Sequence, residues 1–268
     1  MTKYRAAIFD WAGTMVDFGS FAPMAAFVEV FGRFGVEVSE ADARAPMGMA
    51  KIDHIRAMLA APQTAQKWHD GHGRAWGEAD VQSIYDVFVP LNEDVAARHA
   101  TLVPGAKEAI DHLRSLGLKI GSTTGYTRSI MDRILPVAAA QGYSPDNLVC
   151  SDDGFEGRPS PLGMYKCFVD LGVYPPEAVI KVDDTVPGIQ EGKAAGCLTI
   201  GVALSGNYVA RTPEQLAAMS TTDVSSLRDA AAQKLLAAGA DAVIDTVSDL
   251  PAFLESSHDE QPLSKQMS

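Results

Sequence analysis

The sequence predicts an α/β protein: a Rossmann-like parallel-sheet core with an α-helical domain inserted after the first strand. Three observations carry this. Ala6-Ala7-Ile8-Phe9 is wholly apolar and runs into Asp10, as a strand covered on both faces does where it reaches a sheet edge. From Leu102 onward, short apolar runs alternate with helical segments, the pattern of a parallel sheet with helices on both sides. Between these parts lie about eighty residues of helical character without a convincing strand, too many for a single crossover helix. The expected division is a core of residues 1–20 and 101–268 and a cap of residues 21–100.

In chain order, the first strand covers Arg5 to Phe9, followed by a loop from Gly13 to Ser20. A helix then carries Phe27, Val30, Phe31 and Phe34 at three- and four-residue steps and ends at Gly35. A second helix is expected from Met47 through Leu59, and two more around Thr64–Trp76 and Asp80–Arg98. In the core, helices are expected at Ala106–Leu116, at Tyr126–Ala140 with Pro136 as a kink or break, and at Leu162–Leu171. Further helices are expected at Gly188–Ala195, as one or two over Thr212–Ala238, and at Asp249–Leu254. Strands are expected at Leu118–Thr123, Asn147–Cys150, Ala178–Val182, Cys197–Val202 and Ala242–Ile244. The polar tail after Ser256 is expected to fray.

Composition narrows the function. Hydrophobic residues make up 47% of the chain, which suits a substantial core. The net charge of -12, with no basic run, speaks against nucleic acid and against an anionic membrane surface. It leaves room for a small anionic substrate, because a metal or an Arg can reverse the local field. Cys150, Cys167 and Cys197 form no CxxC pair, so they read as reduced, buried thiols. The opening residues lack a signal-peptide pattern and no apolar run is long enough to span a bilayer, so a cytoplasmic location is expected.

Four positions converge on the carboxyl edge of the expected sheet: Asp10, the run Thr123-Thr124-Gly125, Arg158 in the loop after the third strand, and Asp183-Asp184. A carboxylate nucleophile, a hydroxyl, a cation and an acidic pair suit phosphoryl transfer at a divalent cation. Each has a plainer reading: Asp10 or the acidic pair could cap the next element, and Arg158 could be a surface residue.

In the order and spacing of these motifs, nearly the whole chain resembles the haloacid dehalogenase superfamily of aspartyl phosphotransferases. The resemblance implies Asp10 as the nucleophile and Thr124 as a phosphoryl-binding hydroxyl. Arg158 stands where most members carry Lys. Magnesium is the implied cofactor, with Asp10, Ala12, Asp183 and Asp184 as its site, and the helical insert is the implied cap. One departure is informative: most phosphatases of the superfamily have a general-acid Asp where this chain has Ala12.

The stretches DWAGT, PMG, KIDH, GSTTGYTR and GRPSP together resemble the phosphonoacetaldehyde hydrolases, a subgroup of that superfamily. This implies that Lys51 forms a Schiff base with a small phosphonate aldehyde. It also implies places for Met47 and His54 near that lysine, for Gly48, Gly125 and Tyr126 at the substrate, and for a homodimer. Lys51 lies four residues after Met47 and three before His54, so a helix from Met47 would put all three on one face. An imine beta to phosphorus lets the carbon–phosphorus electrons leave as an enamine, so no acid at position 12 is needed for that step. A second departure is Asp183 and Gly188, where some members of the subgroup have Gly and Asp, which leaves the outer metal shell open. Two other functions remain in view: a phosphatase or phosphomutase acting on a small ester, and a non-catalytic protein that binds phosphometabolites.

Overall fold

The computed structural model describes residues 3–259. Strand β1 (Ala6–Phe9) is followed by five helices: α1 (Phe21–Arg33), α2 (Glu40–Arg44), α3 (Lys51–Ala60), α4 (Pro62–His72) and α5 (Glu78–Arg98). The chain then alternates through α6 (Ala106–Ser115), β2 (Lys119–Ser122), α7 (Arg128–Ala140), α8 (Leu162–Leu171) and β3 (Val179–Asp183). It closes with α9 (Val186–Ala195), β4 (Leu198–Val202), α10 (Pro213–Ala217), α11 (Thr221–Ala237), β5 (Ala242–Ile244) and α12 (Leu250–Asp259). The strands form one parallel sheet in the order β2-β1-β3-β4-β5. The predicted fold class is the observed one.

Alternation along β1 covers both faces of the sheet. Ala7 and Phe9 pack with Ile120, Ile130, Met131 and Leu250 on one side. Ala6 and Ile8 pack with Met164, Cys167 and Leu171 on the other. The three cysteines are free and buried, and burial pushes each thiol up to about 12, so they act as small apolar side chains. The helices between Phe21 and Arg98 have a core of their own, built on Phe27, Val30, Phe31, Ile55, Trp68, Ile84 and Phe88. The aromatic stripe of α1 is spent there: Phe27 stacks on Phe88 with ring centroids 4.2 Å apart.

Several expected elements differ. Asn147–Cys150 is not a strand; it meets β2 at one bridge, Thr123 to Val149. The reason is local. The Asp146 and Asn147 side chains accept the Ile120 and Ser122 N–H groups, taking donors that a sixth strand would use. The helix expected from Met47 begins at Lys51, because Gly48 adopts a φ of 95° that only glycine takes easily. Helix α2 was not expected, although Ser39 and Asp42 form a capping box at its start. Pro136 sits inside an unbroken α7. Helix α12 runs on to Asp259; the tail beyond it lies outside the described residues. No helix among the described residues is long and apolar enough to cross a membrane.

A buried lysine stands inside the sheet. Lys181, in β3, is fully buried, with Nζ 3.0 Å from Asp183 Oδ2 and 3.1 Å from Glu191 Oε2. Removing one partner of a buried pair costs about 3–5 kcal/mol, whereas replacing both with apolar residues is often neutral. Lys181→Met is therefore expected to lower stability by about that amount in urea denaturation followed by circular dichroism. Lys181→Met with Glu191→Leu should recover more than half of the loss. A single variant as stable as the parent would show that the pair does not hold the strand.

Candidate active site

Parallel register sets the height of the site. Phe9 is level with Ser122 on β2 and Val182 on β3. The next residues, Asp10, Thr123 and Asp183, therefore stand level at the carboxyl edge of the sheet, with Asp183 the last residue of β3. They do so at the crevice between β1 and β3, where the strand order reverses and where open α/β sheets bind ligands.

Asp10 is buried, and Arg158 reaches it with Nη1 at 2.8 Å from Oδ1. The other guanidinium donors are fixed as well. Nε donates to Glu191 Oε2 at 3.0 Å, and Nη2 donates to Thr123 O and Oγ1 at 2.6 and 2.8 Å. Lys181 Nζ donates to the same Thr123 hydroxyl at 2.7 Å, and that hydroxyl donates to Glu191 Oε2 at 2.8 Å. The planar fork spreads five donors in fixed directions, so Arg158 reaches Asp10, Glu191 and Thr123 from separate nitrogens.

The three aspartates feel this cation cluster unequally. Burial would raise Asp183, but Arg158 and Lys181 outweigh it and hold this carboxyl below the usual range. Thr185 adds hydrogen bonds to Asp183 Oδ1 from its N–H at 3.0 Å and its hydroxyl at 2.7 Å. Asp10 is pushed up to about 6, by burial first and by Asp183 next, against Arg158 and Lys181. Asp184 is raised furthest, by burial and then by Asp10 and Asp183. It accepts only neutral donors, the Thr14 hydroxyl at 3.2 Å and the Asn207 N–H at 2.8 Å.

Carboxylate oxygens of Asp10, Asp183 and Asp184 lie within 4.8 Å of one another. Hard oxygen donors with surplus negative charge suit magnesium. The surplus rests on Asp10 and Asp184, while Asp183 is engaged by Arg158, Lys181 and Thr185. Gly188 adds no ligand: a Cβ there would fall 2.0 Å from the Asp183 carboxyl, so bulk at 183 requires none at 188. Gly13, with a φ of 85°, is constrained likewise, since a Cβ would sit 2.3 Å from Asp184 Oδ2.

The cap loop before α3 closes over these residues. A Cβ on Gly48 would meet Thr185 Oγ1 at 2.2 Å, and one on Gly125 would meet the Met49 carbonyl at 2.5 Å. The contact leaves a small pocket of ≈ 20 Å³, lined by Asp10, Ala12, Met47, Gly48, Lys51, Thr124, Gly125 and Tyr126, among others. A wider cavity of ≈ 650 Å³ opens at the hinge, beside Asp17–Phe21 and Arg98–Pro104, and holds none of the clustered aspartates. The small pocket is therefore the candidate site.

Within it, Lys51 is almost fully buried, with Nζ 4.7 Å from the Tyr126 ring centroid and 5.6 Å from that of Phe27. Burial, opposed by Asp10 and helped by Arg158, lowers this amine to about 8. Thr124 Oγ1 accepts the Tyr126 N–H at 3.1 Å, which leaves its own proton available to a ligand. One expectation about placement needs correcting, and one gains detail. Met47 lines the pocket from the loop and not from the face of α3, because the helix starts four residues later. His54 turns into the cap: its ring stacks on Phe27 at 3.7 Å and its Nε2 meets the Ala43 carbonyl at 2.9 Å. Burial, then Lys51, pushes the His54 ring well below its usual value, so it is neutral and donates from Nε2.

Sequence reasoning missed Lys181 and Glu191. A signal for the first was present: Lys181 is two residues before Asp183 in an apolar strand, hence on the same face of the sheet.

Comparison with known proteins agrees with this geometry. The haloacid dehalogenase-like hydrolase family matches residues 4–196. A phosphonoacetaldehyde hydrolase of Paraburkholderia phytofirmans is 52% identical, over 93% of this chain and 94% of that protein. A second, from Syntrophobacter fumaroxidans, is 43% identical over 95% and 92% of the two chains. A crystal structure of a phosphonoacetaldehyde hydrolase-like protein from Oleispira antarctica superimposes with a TM-score of 0.93 at 42% identity, covering 97% of this chain and 96% of the other. The chain belongs to the haloacid dehalogenase-like hydrolases and, within them, to the phosphonoacetaldehyde hydrolase family.

Proposed function

We propose that this hydrolase cleaves the carbon–phosphorus bond of phosphonoacetaldehyde, giving acetaldehyde and phosphate, through a Schiff base on Lys51 and an aspartyl-phosphate on Asp10. The observation that carries the reading is a buried amine at about 8 sharing one small pocket with Asp10, where position 12 offers only a methyl group. At pH 7.5 about a quarter of such an amine is neutral, against about one part in a thousand for an unperturbed lysine. On this reading residues 21–100 act as a cap on a core of residues 1–20 and 101–268, and its closure supplies the desolvation. A cytoplasmic homodimer belongs to the same reading, on the strength of the family resemblance.

The chain's own groups carry the steps. Lys51 Nζ attacks the aldehyde carbon, and loss of water leaves a protonated imine. An Asp10 carboxylate oxygen attacks phosphorus; the carbon–phosphorus electron pair moves into the iminium, and an enamine leaves. Water then attacks phosphorus and releases phosphate and free Asp10. The enamine takes a proton on carbon, and hydrolysis of the resulting imine frees acetaldehyde and Lys51. Arg158 and the Thr124 hydroxyl hold the phosphoryl oxygens. Asp10, Asp184 and the Ala12 carbonyl would hold magnesium, which would supply positive charge against those oxygens. Asp183 keeps Arg158 and Thr185 in place. His54, fixed on Phe27 and Ala43, stays neutral beside Lys51, and Met47, Gly48, Gly125 and Tyr126 shape the pocket around the two-carbon unit.

Borohydride added with phosphonoacetaldehyde should inactivate the enzyme irreversibly, with the added mass on the peptide that contains Lys51. Lys51→Arg should take up no label and lose turnover by several orders of magnitude. Turnover by Lys51→Arg at the parent rate would remove the Schiff base, and faster hydrolysis of p-nitrophenyl phosphate than of the phosphonate would favour an ester phosphatase.

The pH profile has a defined sign. The folded pKa of Lys51 is depressed, so the reactive neutral amine accumulates as pH rises through about 8. The value of kcat/KM is expected to climb between pH 7 and 8.5 and then level. A profile flat across that range would mean that Lys51 is not the group whose deprotonation limits the reaction.

A further inference from the structure

The cap and the candidate magnesium ligand Asp184 are joined through one core residue, Asn207. Its backbone N–H donates to Asp184 Oδ2 at 2.8 Å. Its side chain and carbonyl face the cap. Arg44 Nη1 donates to Asn207 Oδ1 at 3.0 Å and more loosely to its carbonyl at 3.4 Å, and Asn207 Nδ2 donates back to the Arg44 carbonyl at 3.2 Å. The same Arg44 nitrogen reaches the hinge, donating to the Gly19 carbonyl at 2.9 Å and the Ser20 carbonyl at 3.1 Å. Arg44 and Asn207 are both buried, so these bonds are shielded from water.

The loop that carries Asn207 is anchored to the end of β5, where the Leu204 N–H donates to the Asp245 carbonyl at 2.8 Å, and to α9 through the Tyr208 hydroxyl, and it also meets the surroundings of Asp184 and the hinge. Ser205 Oγ donates to the Gly13 carbonyl at 2.8 Å, and the Ser205 carbonyl accepts the Gly19 N–H at 2.8 Å. Gly206 packs so closely that a Cβ would lie 2.7 Å from the Asp184 Cβ. A shift of Asn207 therefore moves the donor on Asp184 directly. When the cap lifts, Arg44 leaves with it, because α2 belongs to the cap helices, and Asn207 loses the partner that fixes both its side chain and its carbonyl.

We propose that Arg44 and Asn207 form a positioning pair that sets Asp184 for magnesium when the cap is seated, so that metal affinity and cap closure are coupled. Neither residue touches the metal or the substrate. Outer partners of metal ligands commonly change affinity by about 10- to 100-fold, which gives the size of effect to expect. By linkage, a metal bound better in the closed state draws the cap shut by the same factor. The proposal rests on Asp184 as a magnesium ligand and is independent of the identity of the substrate.

The test is calorimetric titration of magnesium into the substrate-free full-length enzyme. Arg44→Met and Asn207→Ala should each raise the Kd about tenfold or more. Asn207→Ala keeps the backbone N–H on Asp184, so a loss there comes from the missing contact with Arg44. The double variant should be no weaker than the worse single one, because both break one link. All four Arg44 bonds come from Nη1, so Arg44→Lys, which keeps a charged donor, should retain most of the affinity, and Asn207→Ala is the second variant should Arg44→Met fail to fold, as judged by circular dichroism. Parent-like affinity in Asn207→Ala or in folded Arg44→Met, or additive losses in the double variant, would overturn the coupling. A parent enzyme that binds no magnesium would overturn it by removing Asp184 as a ligand, while leaving the borohydride result on Lys51 unaffected.

Discussion

Four buried carboxylates, those of Asp10, Asp183, Asp184 and Glu191, share two buried cations, Arg158 and Lys181, at the carboxyl edge of β1 and β3. This charge imbalance governs the rest of the site. In a desolvated place it cannot be dispersed into water. Lys181 settles on Asp183 and Glu191, and Arg158 divides its charge among Asp10, Glu191 and Asp183, so that Asp10 keeps one oxygen outside these ion pairs and Asp184 has no ion pair among the described residues. That separation is what makes one carboxylate a fixed support for Arg158 and two others receptive to a divalent cation. It also explains the tight local geometry. Gly13 and Gly188 give up side chains so that Asp184 and Asp183 can lie as close as the cluster demands.

The cap completes the site by removing water more than by adding charge. Its loop touches the core through glycines and a carbonyl, with Gly48 against Thr185 and Met49 against Gly125. The one charged residue that spans the boundary with a set of directed bonds is Arg44, and its partners are hinge carbonyls and Asn207. Lys51 contributes differently. It brings an amine into a space whose walls are Tyr126, Phe27 and the core carboxylates, and burial there outweighs the attraction to Asp10.

Much of this was legible in the sequence because it is local. The apolar run into Asp10, the helical insert, the alternation after Leu102 and the acidic pair after β3 are all patterns of adjacent residues. The fold and the place of Asp10 follow from them, while Lys51, Met47, Gly48 and Tyr126 were reached through the family resemblance. What was not legible is made by pairs far apart in the chain. Arg44 and Asn207 are separated by 163 residues, and Thr123 and Glu191 by 68. No spacing rule links them, and each alone looks like an ordinary polar residue. The false strand at Asn147–Cys150 failed for a related reason. Its apolar residues fit a strand, but the side chains of Asp146 and Asn147 had taken the hydrogen bonds of β2.

Position 12 joins the charge balance to the proposed chemistry. Ala12 and Lys51 line the same pocket, and Asp10 already raises the Lys51 pKa against the effect of burial. A carboxylate at position 12 would be one more negative charge at a place that already has too many. Each unit by which it raised Lys51 would cost about 1.4 kcal/mol of the amine's readiness to react at neutral pH. The acid that an ester phosphatase needs for its leaving group is thus the group that would keep this lysine protonated. Ala12 is more than a residue the Schiff-base route can spare. A neutral side chain there is a condition for a nucleophilic amine beside Asp10, which is why one small pocket does not serve both chemistries equally well.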